Sequence, residues 1–133
     1  MRIRALIVAA LAAVGAACHR APVVASAPAA PVASFSMVLE RSSEGWRAHC
    51  DSGCAWKTVT MSCATCAVRL DASGIGGADA PDDGAKGFAF VASPTVEGWE
   101  ARGVRGVHWS RVTRGCSGAM CRGRVDESGV GGA

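Results

Sequence analysis

The sequence predicts an all-β fold, a tandem duplication of two four-stranded units packed as a pseudo-twofold sandwich or barrel. Three observations carry that prediction. The first is repetition: residues 44–63 read EGWRAHCDSGCAWKTVTMSC and residues 97–116 read EGWEARGVRGVHWSRVTRGC. With Phe35 placed over Phe88 the copies stay in register through Cys63 and Cys116. Two extra residues, Ser117 and Gly118, then restore the register from Cys66 and Cys121 onward, and about 19 of 43 aligned positions are identical. The second observation is that apolar residues alternate at period two in short runs closed by Gly, Ser and Asp, the pattern of half-buried strands and turns. The third is that no window carries a sustained helical stripe.

Each copy yields its elements in the same order. FSMVLE and FAFVAS are strand-like, and SSEG and TVEG supply turn residues ahead of Trp46 and Trp99. A strand follows each of these tryptophans. A second turn, DSG or VRG, leads into Trp56 or Trp109. Val59, Met61 and Cys63 then alternate, while Trp56 stands three residues before Val59, which predicts a bulge between them. The fourth segment, AVRLDASGIG or RGRVDESGVG, ends in an Asp-x-Ser-Gly turn. The two repeats therefore span residues 35–77 and 88–133, joined by a connector at 78–87.

Energetics argue for one domain over residues 35–133. Ordering a unit of this size costs roughly 1.5 kcal/mol per residue, and so small a unit seldom buries enough apolar area to offset the loss. The copies are expected to share a core, with Trp46, Trp99, Trp56 and Trp109 as its large members.

The first 18 residues read MRIRALIVAALAAVGAAC: a basic start, a short apolar run and a small-residue exit, the layout of a secretory signal and too short to span a bilayer. Residues 14–18, VGAAC, resemble the lipobox of bacterial lipoproteins, with Gly15 where leucine is usual. The resemblance implies a signal peptide over residues 1–17, acylation of Cys18, and outer-membrane sorting with His19 after the anchor. Ordinary cleavage after Ala17 is the alternative. Residues 18–34 then form a lipidated cysteine and an Ala/Pro-rich tether. Loss of Arg2 and Arg4 lowers the formal charge from +3 to +1, which argues against a nucleic-acid partner.

Seven cysteines are an odd number for an oxidising compartment, and a lipid on Cys18 leaves six for pairing. Cys63 and Cys66 have counterparts in Cys116 and Cys121, whereas Cys50 and Cys54 are replaced together by Gly103 and Val107. Residues lost as a pair are most simply partners. The expected bridges are Cys50–Cys54, Cys63–Cys66 and Cys116–Cys121, with a bridge between copies such as Cys63–Cys116 as competitor.

Candidates for chemistry are few. Cys63-Ala-Thr-Cys66 is a C-x-x-C motif, but such motifs exchange disulfides when a helix N-terminus lowers the first thiol's pKa, and here a strand-like segment follows. Zinc held by Cys50, Cys54, Cys63 and Cys66 would require reduced thiolates, and copy two has half the ligands. None of His19, His49 and His108 is duplicated, and no catalytic elbow or metalloprotease pair is present. Asp71 and Asp126 are expected to cap their own turns, with Glu44 and Glu97 as candidates for the same work at the first turn. Asp79, Asp82 and Asp83 in the connector lack the ligand spacing of a calcium loop. Copy two concentrates Arg102, Arg105, Arg111 and Arg114, which raises an anion-facing patch as an alternative to scattered surface charge.

These readings converge on an exported, membrane-anchored, non-enzymatic binding or structural module facing the periplasm, with no cofactor, no metal, no catalytic residue, and a protein or anionic partner. Thiol-disulfide exchange at Cys63/Cys66 is the alternative from the enzyme class.

Overall fold

The computed structural model describes residues 32–82 and 86–132. Among these residues there are ten strands and no helix: β1 (Ser36–Ser42), β2 (Gly45–Ser52), β3 (Thr58–Met61), β4 (Val68–Asp71), β5 (Gly74–Gly77), β6 (Ala89–Pro94), β7 (Gly98–Arg105), β8 (Arg111–Gly115), β9 (Cys121–Asp126) and β10 (Gly129–Gly131). Each copy has five strands, one more than the four expected. The Asp-x-Ser-Gly turn joins β4 to β5 and β9 to β10, and the glycine-rich tail beyond it pairs as an edge strand instead of ending the unit. Short glycine-rich strands carry little propensity of their own, so these were legible only through their partners.

The strands form two five-stranded antiparallel sheets in the orders β10-β9-β1-β2-β3 and β5-β4-β6-β7-β8. This is an open sandwich and not a barrel. Neither sheet belongs to one copy: each takes three strands from one copy and the last hairpin of the other. The exchange is symmetric, because β1 pairs with β9 while its counterpart β6 pairs with β4, the counterpart of β9. At the lateral margins β3 lies against β5 and β10 against β8, so the edge strands of the two sheets cover one another.

The shared core follows from the pleat. Met37 and Leu39 on β1, Trp46, Ala48 and Cys50 on β2, Val68 and Leu70 on β4, and Trp99 and Ala101 on β7 all point between the sheets and are buried. Phe35 and Phe88, the residues that open the two copies, stack on one another with ring centroids 3.9 Å apart and planes 18° apart. A residue stacked on its own duplicate marks the pseudo-twofold axis, and such aromatic pairs contribute about 0.5–1.5 kcal/mol beyond burial. Trp46 and Trp99 are 1% and 0% exposed, while Trp56 and Trp109 are half-buried and pack against the core margin. All four indole N–H groups donate to backbone carbonyls in matched positions: Trp46 to Cys66 and Trp99 to Cys121, Trp56 to Asp71 and Trp109 to Asp126.

The duplicated glycines have backbone causes. At Gly45 and Gly98 a Cβ would sit 2.0 Å from the carbonyl oxygen of Met61 and of Arg114, so the passing strand excludes any side chain. Gly53 and Gly106 adopt φ of 82° and 69°, where a side chain is strained, and each abuts the backbone just ahead of Phe35 or Phe88. The bulge expected between Trp56 and Val59 lies elsewhere. The register shifts between Ser36 and Met37 and between Ala89 and Phe90, leaving Asp51 and Val104 as the extra residues of β2 and β7.

Candidate functional site

The strand exchange gives the sandwich two unlike ends. The chain enters at one end, where Ala33 N–H donates to Gly106 O at 3.0 Å and the β2–β3 turn carries a Cys50–Cys54 bridge. The opposite end gathers the β1–β2 and β6–β7 turns with the β3–β4 and β8–β9 loops, which hold the Cys63–Cys66 and Cys116–Cys121 bridges. Arg41 ties this end together across the copies, donating to Ala64 O at 3.0 Å, to Gly98 O at 2.8 Å and to Thr95 O at 3.3 Å. The loops flank an open cleft of about 330 Å³ lined in part by Arg41, Ala64, Val96 and Ala119. Val96 at one hairpin tip is fully exposed and Met120 in the neighbouring loop is 54% exposed. Nothing in composition or period singled out this end, because its residues are distant in sequence and meet only through the exchange.

All three bridges lie within copies. Where copy one has Cys50–Cys54, copy two folds the Val107 side chain toward Gly103, with Val107 Cγ2 at 2.5 Å from where a Cβ on Gly103 would lie. A cross-link is thus replaced by a valine packed over a glycine. Cys50–Cys54 and Cys63–Cys66 sit at opposite ends of β2, so the four cysteines do not converge on one metal position. Cys66 is exposed, and the segment after it passes directly into strand β4. Among the described residues no helix terminus faces Cys63, so the helix-dipole route to a lowered thiol pKa has no counterpart among them. Cys18 and His19 lie outside the described residues.

The remaining candidates disperse. His49 Nδ1 lies 3.1 Å from the Thr58 hydroxyl and its Nε2 lies 3.9 Å from Asp51 on the exposed outer face of the β1-containing sheet. The order hydroxyl–imidazole–carboxylate resembles that of a triad, but the carboxylate is beyond hydrogen-bond reach and the site lies on an open sheet face. His108 is exposed, and its backbone N–H bonds to Glu127 O. Asp71 and Asp126 cap their turns as matched pairs, each Oδ1 accepting the backbone N–H groups two and three residues on. The Asp126 carboxyl is held below its ordinary value first by the Ser128 hydroxyl, with the Ser128 and Gly129 amides and Arg124 adding to it against a burial effect that raises it. Glu44 and Glu97 do not cap. Both are exposed at the hairpin tips of the far end, and neither carboxylate makes a hydrogen bond or ion pair among the described residues.

The arginines of copy two separate by the pleat. Arg105 pairs with Asp82 of the connector, which also accepts Arg69 Nη2 at 2.8 Å. Asp82 thereby ties the connector to β4 and β7, the strands that carry Arg69 and Arg105; Asp83 lies outside the described residues. Arg114 turns to the margin, where its Nε donates to Arg122 O at 2.9 Å. Arg102 and Arg111 stand together on the outer face, directly opposed across β7 and β8. Comparison of the chain with protein-family models, with curated proteins and with solved structures finds no match.

Proposed function

We propose that this protein is an exported, lipid-anchored, non-enzymatic binding or structural module of the cell envelope that faces the periplasm. The observation that carries the reading is the polarity of the sandwich: the tether enters at one end, and two bridged loops and two hairpin tips are held at the other. A chain anchored through Cys18 would present that far end away from the membrane on a frame whose two halves cannot separate without breaking both sheets. Three bridges within so small a domain fit an oxidising compartment. Several acyl chains would anchor it stably, whereas a single chain binds membranes only marginally.

Intact mass of the native protein, isolated from membranes with free thiols alkylated, tests this. Cleavage before Cys18, an acylated N-terminus and six unalkylated cysteines are expected. A soluble product starting at Cys18 and alkylated there overturns the anchor. Thiol-disulfide exchange at Cys63/Cys66 is the second reading, favoured by the exposure of Cys66. Under mild reductant a structural pair stays oxidised, while a catalytic pair is reduced readily because its potential is higher.

A further inference from the structure

We infer that Arg102 and Arg111 form a binding site for a phosphate group on the outer face of the β6–β8 sheet. The inference rests on the binding-module reading and names one ligand chemistry for it. The two residues are register partners. Gly103 N–H donates to Ser110 O at 3.0 Å, which makes the adjacent Arg102–Arg111 position a non-hydrogen-bonded pair, the class whose side chains stand closest. Both are exposed, and each presents a guanidinium cation with five N–H donors. Like charges directly opposed on a sheet are destabilising.

The structure offers these two no compensation. Among the described residues neither makes an ion pair or a side-chain hydrogen bond, although Arg69, Arg105, Arg122 and Arg124 all pair with carboxylates. Glu100 shares the face, but it stands opposite Thr113 and bonds to neither arginine. Copy one provides the internal control. Its corresponding residues, His49 and Thr58, occupy the same close register and hydrogen-bond at 3.1 Å. Copy two replaces a self-satisfied pair with two cations that lack a counter-ion. A phosphate monoester supplies three acceptor oxygens and close to two negative charges, which matches two guanidinium forks in charge and geometry. A carboxylate neutralises only one of them.

The test uses the full-length protein and its Arg102→His/Arg111→Thr variant, which installs the residues of copy one and so preserves a pairing this fold already holds. Backbone amide and arginine Nε–H resonances are followed during titration with inorganic phosphate and, at matched ionic strength, with chloride, the amides of β7 and β8 reporting affinity in the variant, which lacks both guanidinium groups. Saturable shifts at Arg102 and Arg111 with phosphate alone are expected, with apparent affinity weakened on the order of tenfold or more in the variant, the loss of a charge-assisted contact of about 1.5–3 kcal/mol. Equal response to phosphate and chloride, or unchanged phosphate affinity in the variant, overturns the site. Either of those results with six unalkylated cysteines and an acylated Cys18 would leave the module reading standing and remove only this ligand. With phosphate binding established, vesicles containing phosphatidic acid, set against phosphatidylcholine alone, separate the sources. Shifts or broadening of the Arg102 and Arg111 resonances with phosphatidic acid vesicles alone assign a lipid phosphate, and equal spectra with both vesicles assign a soluble one.

Discussion

The two copies agree where the backbone leaves no choice and differ where it does. Gly45 and Gly98 are excluded from bearing a side chain by the strand that passes them, and Gly53 and Gly106 share a left-handed turn against the backbone that leads into the first strand of their copy. The tryptophans repeat because each indole both fills core volume and satisfies a matched carbonyl. The chain-entry corner carries no such constraint, and there one copy uses a disulfide and the other a valine laid over a glycine. The outer faces are free as well: a histidine–threonine hydrogen bond on one sheet becomes an opposed arginine pair on the other. Divergence between duplicates therefore locates positions that the fold does not dictate, and on those positions any function of one face is written.

The most disruptive way to probe the agreement is to remove a repeated core residue. Trp99→Ala is expected to cost about 3–5 kcal/mol, and Trp46→Ala a similar amount, because both side chains are fully enclosed. Since each sheet mixes strands of both copies, either substitution should lower one common unfolding transition. Differential scanning calorimetry with a spectroscopic probe in each half checks this. Two separable transitions would mean that the halves are energetically independent despite their interlocked strands.

How much of this was legible in the sequence follows the same division. The repeat, the cysteine pairing and the Asp-capped turns could be read because they rest on local spacing or on comparison of the copies. Period-two alternation was enough for the strands that face the core. The exchange of hairpins was not readable, because pairing β1 with β4 of its own copy and pairing it with β9 of the other place the same apolar residues inward. The edge strands β5 and β10 escaped because three or four glycine-rich residues have no pattern, and the bulge was misplaced because Asp51 and Val104 interrupt the alternation by one residue within an otherwise continuous strand. Arg102, Arg105, Arg111 and Arg114 read as one group along the chain, yet the pleat and the connector divide them among three environments.

The difference at the chain-entry corner can be tested by making copy one resemble copy two. Cys50→Gly/Cys54→Val removes a bridge that closes a short loop, for which the chain-entropy model gives about 2 kcal/mol, partly offset by the packing that Val107 achieves over Gly103. The midpoint of urea unfolding should fall without a change in slope. A drop of several kcal/mol would show instead that the bridge holds the turn at Gly53 against Phe35, and that the valine is a poor substitute.

A finer comparison lies at the two Asx turns. Asp126 differs from Asp71 in that a serine hydroxyl also donates to its Oδ1, alongside the backbone amides. Its carboxyl is consequently held below the ordinary value of 3.8. A depressed folded-state pKa contributes stability that is present above the unfolded value and is lost as pH falls through the folded one. Asp126→Asn keeps an acceptor oxygen for the turn amides but removes the titration. The stability gap between wild type and variant should be full near pH 6, small at less than about 1 kcal/mol given the partial solvent screening of the turn, and should close as pH drops below the ordinary carboxylate range. Urea midpoints measured from pH 6 down to pH 2 read the gap directly. A difference that stays constant with pH would place the whole effect of the substitution in turn geometry and none in the charge of Asp126.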